Sequence, residues 1–396
     1  MANTIVPEKL RQATEILNER DIDLWMLVAR ESDLLGDPSL PLVVGTSVTW
    51  ESFFLISRSG EHRAIVGNGD VENIKQTGAW GDVRGYVQGA RDELVGALEQ
   101  IDPRQIALNY STDNNIADGL TYGMYLRLQA LLTGTPYFER VVSGEPVASR
   151  LRARKSAEEQ RRIRAAVATT DEIWGALEER VKPGMSEREI ADFMHAELDR
   201  RDIGSSWDWR YCPGVTAGPN SPIGHVGPTD VAIEPGQLLS IDFGVRQDDY
   251  CSDMQRTYYF LREGEREAPA PVLRAFEVVS GAIQEAAAML KPGVPGWEVD
   301  QVAREIFAKA GAEEWGYALG HQLGRACHDG GCLLGPRWER YGERPYDRVE
   351  ADEVYTLEIG VSVPGYGRVS LEEDVVVTQD GCEFLSEPQR RPILIG

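Results

Sequence analysis

The sequence predicts two domains, an α/β unit followed by an α+β unit made of two related halves, and three observations carry that prediction. A chain of 396 residues exceeds what one ordinary hydrophobic core organises. Over residues 1–150, apolar runs of strand length alternate with segments of helical period, as in an α/β domain with a largely buried sheet. Over residues 151–396, a helix, a Lys-Pro-Gly turn and a second helix occur twice, at Lys182 and again at Lys291.

In chain order, Leu10, Ala13, Ile16 and Leu17 recur at helical spacing between Pro7 and Arg20, and Leu24 to Val28 follows as a buried strand. Short strands are expected at Leu42 to Val44, Ser52 to Ile56 and Arg63 to Val66. A helix from Ala90 to Glu99, a strand from Gln105 to Asn109 and a helix from Tyr122 to Leu132 complete the first domain. It holds one histidine, His62, beside a glutamate and no catalytic cluster, so its expected role is packing, dimer formation or cover for a site elsewhere. The pattern weakens between Val141 and Arg154, and a long helix starts near Ser156, where Glu159 stands at capping-box spacing. Helices are read from Ser156 to Arg180 and Glu187 to Arg200, then from Ala270 to Leu290 and Trp297 to Lys309. The offset matches Ile190 with Val299, Phe193 with Val302 and Leu198 with Phe307, and strand-rich sequence follows each pair.

Composition narrows the partners. With 64 acidic against 41 basic residues and a net charge of −23, nucleic acid and anionic membrane surfaces are disfavoured, whereas a small peptide is not. Arginine supplies nearly all the positive charge, a bias that composition alone does not assign to genome or habitat. Five cysteines, an odd number confined to the second half, read as reduced thiols of a cytoplasmic protein, most of them buried. The N-terminus shows no signal-peptide core and no run reaches 18 apolar residues, so a soluble, unexported protein is expected.

The chemistry gathers around residues 241–257, IDFGVRQDDYCSDMQRT, which read as a hairpin turning at Gln247 and Asp248. That turn sets Asp242 opposite Asp253, with Cβ atoms about 4.5–5.5 Å apart, where like charges destabilise the pair. Either one Asp faces solvent, or Arg246 or Arg256 neutralises the pair, or a divalent cation does. His321 lies in a glycine-flanked, strand-like segment, and Glu358 and Glu372 lie inside apolar β runs, where a carboxylate is costly unless paired or metal-bound. Four carboxylates and one imidazole suit two divalent cations with a bridging hydroxide; the hard oxygen donors favour Mn²⁺, with Co²⁺ or Zn²⁺ as alternatives.

Asp242, Asp253, His321, Glu358 and Glu372, in this order and context, resemble the dinuclear site of the pita-bread metallopeptidases, Xaa-Pro dipeptidases (prolidases) and aminopeptidase P above all. The resemblance extends to Gly218-Pro219-Asn220 with His225, to SDMQRT, to the spacing of His321 and His328 and to LEEDVVVT, over about residues 156–385. It implies a creatinase-like N-terminal domain over 1–150, a pita-bread catalytic domain over 151–396 and a homodimer. The five residues would then bind two metals, Glu358 would be the general base, and His225 and His328 would bind substrate and steady the tetrahedral intermediate. Three motifs depart from the family: Gly-His-Gln-Leu-Gly, His328-Asp329-Gly330 and Glu358-Ile359-Gly360. A fourth departure is Ser370, which replaces the usual arginine two residues before the last Glu. Arg368 projects from the same strand face and is read either as the ligand for a substrate carboxylate or as a solvated surface residue.

The implied function is hydrolysis of Xaa-Pro dipeptides, or of proline-containing short peptides. The alternatives are aminopeptidase P activity on longer peptides, a metal-free amidinohydrolase and a non-catalytic binding protein on the same scaffold. His62 and His195 read as structural, and Trp207 and Trp209 read either as lining the substrate cleft or as core, with one of them expected to fill the core.

Overall fold

The computed structural model describes residues 5–224 and 226–396. The chain divides into two compact units, Met1–Arg152 and Ala153–Gly396.

The first unit is a six-stranded mixed sheet. Helix α1 (Ile5–Glu19) leads into β1 (Leu24–Ala29), and a short helix, α2 (Leu40–Val43), precedes β2 (Ser52–Ser57) and β3 (His62–Gly67). Helix α3 (Val71–Gln76), β4 (Asp82–Tyr86), α4 (Arg91–Ile101), β5 (Ile106–Leu108), α5 (Tyr122–Leu131), β6 (Val141–Ser143) and α6 (Glu145–Ala153) follow. The strand order is β4-β3-β2-β1-β5-β6. Every residue of β1 and β2 is buried, which is why both read as unbroken apolar runs. The strand expected at Leu42 to Val44 is instead the end of α2. Pro41 explains the difference: lacking an N–H it cannot serve a sheet ladder, but it suits the first turn of a helix.

The second unit opens with α7 (Ala157–Glu178), where Ser156 and Glu159 form the expected capping box, and α8 (Glu187–Arg201), where Ser186 and Glu189 form another. Strands β7 (Gly204–Ser205), β8 (Gly214–Ala217), β9 (Leu238–Phe243), β10 (Val245–Gln247), β11 (Tyr250–Cys251) and β12 (Met254–Phe260) follow. After α9 (Ala270–Met289) and α10 (Gly296–Lys309) come β13 (Val354–Val363), β14 (Gly367–Val377), β15 (Cys382–Phe384) and β16 (Ile393–Ile395). The main sheet runs β13-β14-β12-β9-β8, with β15 on β14 and β16 on β12.

The repeat holds in backbone detail. Gly184 and Gly293 both take φ of +89°, a left-handed conformation that glycine adopts at little cost, and their N–H groups donate to Ile233 O and Val349 O, each at 2.8 Å. Ser186 bridges to Ala232 as Pro295 bridges to Arg348. Ten residues beyond Ala232 lies Asp242, and ten beyond Arg348 lies Glu358, so these two acids hold equivalent places in the two halves.

One face of the sheet carries the core. Val272, Phe276, Val279 and Ile283 of α9 pack with Leu357, Ile359, Leu371 and Val375 of β13 and β14. On the other half, Trp174 of α7 meets Phe243 and Tyr258 edge-on or tilted. Because successive side chains alternate, Asp242, Glu358 and Glu372 emerge on the opposite face. Among the described residues, no helix is long and apolar enough to cross a membrane.

Candidate metal centre

The hairpin turns one residue later than expected, and this corrects its register. Asp248 and Asp249 take φ of +49° and +67°, a conformation that aspartate tolerates better than glutamine does. Asp242 therefore pairs with Gln255 rather than with Asp253. The slip is two residues, so every side chain keeps its face, and Asp253 projects beside Gln255 on the same side of the sheet. A one-residue slip would have turned the whole set into the core.

Four strands then place one residue each in a continuous row. Asp242 of β9 faces Gln255 of β12, Gln255 faces Glu372 of β14, and Glu372 faces Glu358 of β13. Gln255 and Glu372 meet where the two halves join, as counterparts in the repeat. Nε2 of Gln255 donates to Glu372 Oε2 at 2.8 Å and to Glu358 Oε2 at 3.4 Å, while its Oε1 accepts from the Ser370 hydroxyl. Where the sequence lacks an arginine, Ser370 thus orients an amide whose N–H groups face the acids.

His321 approaches from outside the sheet. Residues 320–323 run along β13, with Thr356 N donating to His321 O at 2.9 Å and Leu323 N to Val354 O at 3.0 Å. A Cβ at Gly320 would lie 1.9 Å from Thr356 O, so only glycine permits this approach. Nε2 of His321 lies 3.6 Å from Asp253 Oδ2, and Asp253, His321 and Glu372 bring ligand atoms within 4.8 Å of one another.

Neither arginine of the alternative reading neutralises the aspartates. Arg256 pairs with Glu373 at 3.2 Å, among residues of the opposite face, and Arg246 lies 3.7 Å from Asp249. Burial accordingly lifts Asp242 to about 7 and, with Asp242 nearby, Glu358 to about 8. Asp253 and Glu372 are also raised well above the ordinary carboxylate range, first by burial and then by the neighbouring acids. Burial and the neighbouring His328 depress His321 to about 3, keeping the imidazole neutral. Asp242 Oδ1, Asp253 Oδ1 and Glu372 Oε1 are buried without a hydrogen-bond partner. Buried lone pairs on clustered acids beside a neutral imidazole are what divalent cations satisfy, and the residues fit them.

His328 is exposed and its ring meets that of His321 edge-on at 4.3 Å; His225 lies outside the described residues. Arg368 is half-buried rather than solvated, its guanidinium 5.2 Å from the centre of the Trp315 ring. It forms no ion pair among the described residues and lines a cleft of about 240 Å³ with Gly218, Pro219, Ser221 and Ile223. His195 stacks on Trp209 at 4.0 Å and His62 meets Thr14 at 3.3 Å. Trp209 is exposed and Trp207 half-buried, so neither fills the core.

Three residues of this region escaped sequence reasoning. Gln255, within SDMQRT, is buried beside the equally polar Arg256 and Thr257, so nothing in its local sequence singles it out. Cys327 places Sγ 2.9 Å from Asp253 Oδ2. Glu187, fully buried at the start of α8, accepts from Ala217 N, Ser221 Oγ, Thr229 N and Thr229 Oγ1, tying together both ends of the 218–228 loop. A glutamate in a first helical turn ordinarily signals only the helix dipole.

A family model described as metallopeptidase family M24 matches residues 161–379. The Xaa-Pro dipeptidase of Lactobacillus helveticus is 28% identical over 325 residues, 81% of this chain and 82% of that protein. Among solved structures, the Xaa-Pro dipeptidase of Bacillus anthracis superposes with a TM-score of 0.73 at 22% identity, covering 98% of this chain and 99% of the other. The X-Pro aminopeptidase of Thermotoga maritima superposes with a TM-score of 0.71 at 22% identity over the same shares.

Proposed function

The chain belongs to metallopeptidase family M24, and from that premise we propose that this hydrolase cleaves Xaa-Pro dipeptides, the activity named for its Lactobacillus relative. The observation that carries the reading is the row of acids with buried, unpartnered oxygens closed off by a neutral His321. Asp242, Asp253, His321, Glu358 and Glu372 would hold two divalent cations, which when bound polarise the scissile carbonyl and make water a ready nucleophile. Glu358 takes the proton of the attacking water on its carboxylate and passes it to the leaving proline nitrogen. Gln255 steadies Glu358 and Glu372 through its amide N–H groups. His328 and His225 donate hydrogen bonds to the developing oxyanion.

Arg368 binds the C-terminal carboxylate of the substrate. Its position in the cleft without a protein carboxylate supports this role and favours a dipeptide over a longer chain. The companion reading is aminopeptidase P activity, supported by the same overall fold in the Thermotoga enzyme. Assays of Xaa-Pro against Xaa-Pro-Xaa with added Mn²⁺, Co²⁺ or Zn²⁺ decide between them: a dipeptidase turns over the first at least tenfold faster. Equal or better cleavage of the tripeptide would favour the companion reading. Absence of both activities and of bound metal would leave a metal-free amidinohydrolase or a binding protein. The homodimer inferred from the family is checked by light scattering of the purified chain.

A further inference from the structure

The loop after His321 folds back on itself. Gly324 N donates to Ala326 O at 3.1 Å and Asp329 N to Gln322 O at 2.8 Å, while Lys155 holds the Asp329 carboxylate at 3.1 Å. This return carries Cys327 and His328 over His321, and the three bring ligand atoms within 4.8 Å of one another. Cys327 Sγ and His321 Nε2 converge on a single oxygen, Asp253 Oδ2, at 2.9 and 3.6 Å. The other oxygen of that carboxylate is buried and unpartnered.

We propose that Cys327 is a further metal ligand of the centre, its thiolate joining His321 at the Asp253 end and biasing the site toward Zn²⁺ or Co²⁺ over Mn²⁺. The inference rests on the metal-centre reading given under the proposed function. Donors bound at about 2.0–2.3 Å to one ion lie no more than about 4.6 Å apart, and the distances to Asp253 Oδ2 meet that limit. The remaining thiols behave differently: Cys212, Cys332 and Cys382 each donate to a backbone carbonyl, and Cys251 touches two. Among the described residues Cys327 alone contacts a carboxylate. On binding, its thiol releases one proton to solvent and the sulfur shares its electron pair with the cation. Thiolate donors select zinc and related ions, whereas Mn²⁺ prefers oxygen.

The full chain, stripped of metal and titrated with Co²⁺, is expected to show a near-ultraviolet sulfur-to-cobalt charge-transfer band that Cys327→Ser loses while still binding cobalt. In competition, Cys327→Ser should lose about tenfold or more in preference for Zn²⁺ over Mn²⁺, because a thiolate donor selects zinc whereas Mn²⁺ prefers oxygen. Should that variant fold poorly, X-ray absorption of the zinc-loaded natural chain should find one sulfur at about 2.3 Å. Bound metal with no sulfur around it, or a band that survives Cys327→Ser, overturns this inference alone. No metal binding at all overturns the metal-centre reading with it.

Discussion

At the scale of single residues, the site is a problem of uncompensated charge. Glu358, as the proton carrier, is expected to lose roughly 10²–10⁴-fold in kcat on substitution by Gln, with little change in KM. A loss confined to KM would remove it from the chemistry. Arg368→Ala should raise KM for Xaa-Pro substrates by tenfold or more, while the same peptides amidated at the C-terminus are affected equally little by either form. An unchanged KM for the free dipeptide would sink the carboxylate role. Protonation adds a third expectation. Folded Glu358 and Asp242 hold protons up to about 8 and 7 that the unfolded chain releases lower, so their contribution is full at acid pH and is lost as pH rises through those values. His321, depressed to about 3, contributes in the opposite sense, its share being lost as pH falls from the ordinary 6.5 toward 3. The metal-free chain should therefore melt lower at about pH 9 than at about pH 6, and saturating divalent metal should erase the difference. A melting temperature that rises over that interval in chelator would contradict the buried, proton-sharing row.

At the scale of elements, alternation along β13 and β14 does most of the sorting. Leu357, Ile359 and Leu371 face α9, so Glu358 and Glu372 are forced to the other side with no local signal beyond parity. The 218–228 loop depends instead on one buried carboxylate. Glu187→Gln keeps the shape but points an amide N–H₂ at groups that donate, and leaving such a group unmatched costs roughly 1–3 kcal/mol. Urea unfolding should register that loss, and KM should rise more than kcat falls, because the loop carries His225 and borders the cleft at Arg368. A stability equal to that of the natural chain would show that the carboxylate does not hold the loop.

At the scale of the whole molecule, the candidate ligands all lie in the unit Ala153–Gly396. On the proposed reading metal binds the folded form of that unit, so a concentration of 100 times the dissociation constant should stabilise it by about 2.7 kcal/mol. Calorimetry with and without chelator is expected to shift the melting of this unit and leave that of residues 1–152 in place. Equal shifts of both would mean that the two units unfold as one. The net charge of −23 adds a general preference for cations around the molecule, which added salt should weaken without abolishing binding at the buried row.

Period and punctuation in the sequence determined the alternating first unit, the duplicated helix pairs and the capping box at Ser156, because these are local relations between residues a few positions apart. They also marked Glu358 and Glu372, since carboxylates inside apolar runs stand out without any knowledge of their neighbours, while Asp242, Asp253 and His321 were marked by the hairpin, the flanking glycines and the family resemblance. Only the tertiary structure decided the hairpin register, the helix at Pro41, the place of Gln255 between two acids and the thiol of Cys327 against Asp253. Those outcomes depend on which backbone lies alongside which, and a turn one residue later moves every pairing by two without altering the pattern of apolar and polar residues from which the strands were read.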